Sequence, residues 1–161
     1  MTTRRRMPLI LLADELFGEA EDLTVALRSA HDGRPMPSVL LVDDDAAVRK
    51  TIARFLTFEG FAVVEASNGQ EALTYLRTGA GASVIVRDLR MPVMDGWTFR
   101  REQRLDPLLE KIPVVVLSGA DVDRLPELEA EAAFEKPVRM AQVAGAVRRL
   151  SAGSLPLSSE P

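Results

Sequence analysis

The chain has 161 residues, 24 acidic and 20 basic side chains, a net charge of −4 and 47% apolar residues. That is one domain's length, enough to bury roughly two thirds of the unfolded surface and to fold without disulfides or a structural metal. The absence of cysteine excludes a thiol nucleophile and a thiolate zinc site. A single histidine, His31, argues against a histidine-built metal cluster or triad, and the acidic balance argues against a general nucleic-acid binder.

At the N-terminus, Arg4 to Arg6 precede the apolar run Leu9 to Leu12, but Asp14 and Glu15 cut that run far too short for a signal peptide. No apolar stretch approaches the ~18 residues of a membrane helix, so no membrane span and a cytoplasmic location are expected. Residues 1–37 read as an extension, with Leu9, Leu12, Leu16, Leu23 and Leu27 near heptad spacing. An amphipathic helix for docking or homodimerisation fits them, although Gly18 weakens it and PLILLADE also echoes PSVLLVDDD further on. His31 lies in a Gly/Pro-rich stretch and reads as a solvated linker residue.

From Ser38 two periodicities alternate. Val39 to Val42 is a continuous apolar run, as in a strand buried on both faces. Ala46 to Phe58 carries Val48, Ile52, Phe55 and Leu56 at helical spacing, and Gly60 ends it. A short apolar run begins at Phe61. Asn68-Gly69 then turns the chain into a helix with Ala72, Leu73 and Leu76 inward. Ser83 to Val86 is a third strand, Trp97 to Leu105 a third helix, Pro113 to Leu117 a fourth strand, and a brief apolar stretch surrounds Ala133-Phe134. A last helix spans about Arg139 to Leu150, and Ser151 to Pro161 reads as a disordered tail. Five strands interleaved with helices predict an α/β domain with a parallel sheet and right-handed crossovers.

Ligands bind such sheets outside the carboxyl ends of the strands, where strand order reverses. The first strand ends in Asp43, Asp44 and Asp45, the third in Asp88, the fourth in Ser118 and the fifth in Lys136. Two unit charges about 5 Å apart repel by roughly 3 kcal/mol at an effective dielectric near 20, so three clustered carboxylates call for a cation. Oxygen donors without histidine or cysteine suit a hard ion such as Mg²⁺ sharing its site with a phosphate. Lys136 adds a point charge for a phosphate oxygen and Ser118 a hydroxyl donor. Only three of the 20 basic side chains are lysines, which singles Lys136 out, and Lys-Pro permits a cis peptide that could aim it. Carboxylates, divalent ion, lysine and hydroxyl together suit phosphoryl transfer.

Taken singly, each residue also has a plainer reading. The three aspartates can cap the following helix, and Asp45 is expected to do only that. Ser118 can be a turn residue, Asp95-Gly96 is a turn, and Trp97 and Phe99 are packing residues.

The segments VLLVDDDAAVRK, VIVRDLRMPVMDG, VVVLSGA and FEKP, in this order and each after an apolar strand, resemble the receiver domain of two-component response regulators over residues 38–150. The resemblance implies a doubly wound, flavodoxin-like fold. It makes Asp88 the acceptor of a phosphoryl group from a histidine kinase or phosphotransfer protein. Asp43, Asp44, Asp88 and the backbone carbonyl of Arg90 become the Mg²⁺ contacts, Ser118 and Lys136 the groups that meet the phosphoryl oxygens, and Gly119 the small residue that keeps the acceptor accessible. The implied function is a single-domain response regulator, not an enzyme with an external substrate, signalling through altered contacts with a downstream protein and without direct DNA binding.

The match departs in places. The family's switch aromatic lies three positions before the lysine, but here Ala133 holds that place and Phe134 follows, on the opposite face of a strand. The fourth helix looks truncated, with Pro126 allowing only a short one. Arg87 is unusual in an apolar strand, and Arg90 is expected to slow loss of the phosphoryl group by obstructing the attacking water. The altered switch position supports the alternative of a non-phosphorylated pseudo-receiver acting as a binding adaptor. A haloacid-dehalogenase-type phosphatase, with Asp43 as nucleophile and Asp45 as acid/base, lacks the further acidic pair that family needs. A flavin or nucleotide carrier would meet three repelling aspartates.

Overall fold

The structure, a computed structural model, describes residues 36–119 and 126–153. The expected N-terminal helix, His31 and the tail beyond residue 153 lie outside these. In chain order the elements are β1 (Ser38–Val42), α1 (Ala46–Phe58), β2 (Ala62–Ala66), α2 (Gly69–Arg77), β3 (Val84–Asp88), α3 (Gly96–Leu105), β4 (Val114–Ser118), β5 (Ala132–Glu135) and α4 (Met140–Ala152). All pairings are parallel, in the order β2-β1-β3-β4-β5. The doubly wound, flavodoxin-like sheet expected from the sequence is thus present.

The turns into α1, α2 and α3 are each fixed by a side-chain cap. Asp45 accepts from the amides of Ala47 and Val48, Asn68 from Glu71 and Asp95 from Thr98, which satisfies helix N–H groups that have no partner within the helix. At the other end of α1, Gly60 has φ +97°, and Phe61 N–H reaches back to the Leu56 carbonyl. This left-handed closure is what glycine permits.

The sheet separates two cores because successive strand residues point to opposite faces. Leu40, Val42 and Ile85 pack with Leu73 and Leu76 of α2 and Phe99 of α3. Val39, Leu41, Val84 and Val86 pack with Ile52 and Leu56 of α1 and Val143 and Val147 of α4. The last helix extends two residues beyond the expected end at Leu150, since Ser151 is buried and its hydroxyl donates to the Arg148 carbonyl. Between β4 and β5 the described residues hold a single helical turn at 126–128, beginning at Pro126.

The inward face of α3 is partly polar. Buried Arg100 donates to the carbonyls of Leu128 (3.1 Å) and Glu129 (2.9 Å) and to Gln103 Oε1 (3.0 Å). Gln103 in turn donates to the carbonyls of Leu109 and Ile112. These two side chains tie down the loops after α3 and before β5, whose buried or partly buried backbone acceptors would otherwise lack these donors.

Phe134 turns into the core shared with α1 and α4, while Ala133 is exposed on the other face. The one-residue displacement in the sequence is therefore a real reversal of side.

Candidate functional site

Strand order reverses between β1 and β3, and the acidic residues meet there. Asp43 follows directly on β1. Its amide donates to the Ala66 carbonyl of β2, and its Oδ1 accepts from Asp45 N–H at 2.9 Å. The other oxygen, Oδ2, is buried with no hydrogen-bond partner among the described residues. Asp88 ends β3, and its Oδ1 accepts from the Arg90 amide at 3.3 Å. Asp44 is exposed beside them, and carboxylate oxygens of Asp43, Asp44 and Asp88 lie within 4.8 Å of one another.

Lys136 enters from the far side of β4. Its amide donates to the Ser118 carbonyl at 2.8 Å, which holds the residue after β5 against the end of β4. Its ammonium then reaches Asp88 Oδ2 at 2.9 Å and Asp43 Oδ2 at 3.6 Å. The Lys136-Pro137 peptide is cis. Ser118 is buried at the end of β4. A Cβ added to Gly119 would meet nothing within 4 Å among the described residues.

These neighbours act on one another. Burial raises the Asp43 carboxyl above its ordinary range; the Asp45 amide and Lys136 oppose this, while Asp88 and Asp44 add to it. Burial works against the charge of Lys136, but the hydrogen bond and charge of Asp88, with Asp43 behind them, hold it above the usual lysine range.

The structure therefore gathers Asp43, Asp44, Asp88, Ser118 and Lys136 on one rim. Asp45 caps α1, while Trp97 and Phe99 pack in the core between the sheet and α2 and α3. The Arg90 amide faces Asp88 and its side chain is exposed.

Two arginines shape the site, of which the sequence singled out only Arg87. Arg49, one turn into α1, donates to the Asp43 carbonyl at 2.7 Å and pairs with Glu65 at 3.0 Å. A cation in a helix's first turn opposes the dipole, and that was the available signal that it had a partner elsewhere. Arg87 is fully buried, and burial pushes its pKa down to about 9.

Comparison with known proteins agrees with this arrangement. The sequence model of the response regulator receiver domain matches residues 39–148. The two-component response regulator ORR11 of Oryza sativa is 35% identical over 130 residues, covering 78% of this chain and 88% of its own. Among solved structures, the receiver domain of a signal transduction histidine kinase from Syntrophus aciditrophicus superposes with a TM-score of 0.70 at 28% identity, over 78% of this chain and 97% of that one. The chemotaxis response regulator CheY4 of Vibrio cholerae gives 0.66 at 28% identity, over 71% and 98%. With four strand ends forming one acidic, lysine-bearing rim and a family match across the whole sheet, the chain belongs to the response regulator receiver domain family.

Proposed function

We propose that the protein takes a phosphoryl group onto Asp88 from a histidine kinase or histidine phosphotransfer protein, and signals in the cytoplasm through changed contacts with a downstream protein. The observation that carries this reading is the Lys136 ammonium 2.9 Å from Asp88 Oδ2, inside a cluster of three carboxylates.

The donor set fits a magnesium ion. It is all oxygen, and buried Asp43 Oδ2 has no hydrogen-bond partner among the described residues. Asp43, Asp44, Asp88 and the Arg90 carbonyl would hold that ion, which when bound neutralises charge on the phosphoryl oxygens. An Asp88 carboxylate oxygen attacks phosphorus as the bond from phosphorus to the donor's imidazole nitrogen breaks. The bonding pair stays with that nitrogen, which takes up a proton. Lys136 holds Asp88 in place beforehand and then pairs with a phosphoryl oxygen, and the Ser118 hydroxyl donates to another. Catalysis is positioning and charge neutralisation on preformed groups.

Incubation with acetyl phosphate and Mg²⁺ tests the reading. Wild type should gain an acyl phosphate and Asp88→Asn should not; a wild type that stays unmodified refutes phosphorylation. A second reading, a pseudo-receiver that only binds partners, draws support from the reversed Phe134 and Ala133. It requires weak Mg²⁺ binding, which titration measures directly.

A further inference from the structure

The phosphoryl chemistry leaves Arg87 unused. Within β3 it lies between Val42 of β1 and Val116 of β4, fully buried. Its guanidinium carbon sits 5.4 Å from the centre of the Phe99 ring, and Nη1 fills the space where a Cβ on Gly96 would stand. None of its three guanidinium nitrogens has a hydrogen-bond partner among the described residues.

This placement opposes ordinary electrostatics twice. A guanidinium stays charged, and taking it out of water without hydrogen bonds is costly. Gly96 is also the first residue of α3, at the positive end of that helix's dipole. Like-charged Arg100 repels it as well, and the carboxylates whose field it feels are Asp95, the cap of α3, and Asp88, its neighbour in sequence.

We infer that Arg87 is a fixed background charge that tunes the acceptor pocket, weakening its hold on the divalent cation and favouring the form in which Asp88 carries a second negative charge. This rests on the reading of Asp88 as phosphoacceptor. Conversion of the carboxylate to an acyl phosphate adds one negative charge beside a cation that water does not screen and that need not move. The divalent cation meets the same field with the opposite sign. A residue that merely shaped the pocket would alter both affinities in the same direction.

Calorimetric titration of the full chain tests this, first with Mg²⁺ and then, at saturating Mg²⁺, with beryllofluoride, which adds one negative charge on the acceptor carboxylate without turnover. Arg87→Met removes the charge at similar volume, and Arg87→Lys keeps it. The methionine variant should bind beryllofluoride about ten-fold weaker, the size of effect expected of one charge at roughly 10 Å and an effective dielectric near 20, and Mg²⁺ tighter by about a hundred-fold, because the ion carries twice the charge. The lysine variant should stay within about two-fold of wild type for both ligands. Should Arg87→Met not fold, Arg87→Gln carries the same expectation. The inference is overturned if the neutral variant shifts both affinities in one direction or neither, or if Arg87→Lys behaves like it. A wild type that takes up no beryllofluoride overturns the reading of Asp88 itself, and this inference with it.

Discussion

Arg100→Met tests whether one buried guanidinium holds the approach to β5. Methionine keeps most of the stem's packing but withdraws the donors to the Leu128 and Glu129 carbonyls and to Gln103 Oε1. Hydrogen bonds from a charged donor contribute about 1.5–3 kcal/mol each. The Glu129 carbonyl is only partly buried and can turn toward water, so only the other two bonds are counted, which at the low end give about 3 kcal/mol. That is a large share of a typical total of about 5–15 kcal/mol. At roughly 3–5 °C per kcal/mol for a domain of this size, the melting temperature should fall by about 10 °C. Calorimetry measures the fall, and hydrogen exchange should show faster exchange at the Glu129 and Glu131 amides than in β1. A melting point within about 3 °C of wild type would show that the loop stands without Arg100.

Asp43→Asn should raise the melting temperature at pH 7 and weaken Mg²⁺ binding, because burial already makes that charge unfavourable. The folded pKa of Asp43 lies above its unfolded value, so the folded state binds the proton more tightly and wild type gains stability as pH falls through the raised value. The advantage of the asparagine variant should therefore shrink on acidification, and melts showing it widen would contradict the account. Val93 is 81% exposed at φ +71°, a left-handed conformation that suits asparagine far better than a β-branched residue. Val93→Asn should stabilise by about 1 kcal/mol in urea denaturation, and no gain would mean the backbone bears no strain there. Arg90→Ala should shorten the lifetime of the aspartyl phosphate by opening a path for water; an unchanged half-life rules that role out.

The sheet and its rim were legible because each strand is a short apolar run ending in a polar residue, and parallel topology forces those ends together. Asp43, Asp88, Ser118 and Lys136 follow from that pattern alone. Arg100 and Gln103 were not legible. Amphipathic periodicity assigns polar residues to the solvent face, whereas these two point inward to serve carbonyls at 109, 112, 128 and 129. Only the tertiary path of the chain places those acceptors there. Arg87 stood out as an unexpected residue in its strand, but composition could not reveal that it lies against Gly96 rather than reaching solvent.

The reversal at β5 changes what an alignment can be used for here. Substitutions transplanted from relatives by position would place an aromatic ring at residue 133, on the open face, and leave Phe134 partly buried against α1 and α4. Such a variant would carry two rings on opposite sides of one strand, and its phenotype would mix surface change with core change. A spectroscopic probe at 133 would likewise report on the solvent side, while one at 134 would report on the packing of the first and last helices. In this chain, correspondence with relatives along β5 has to be set by the face a residue occupies, not by its distance from the lysine.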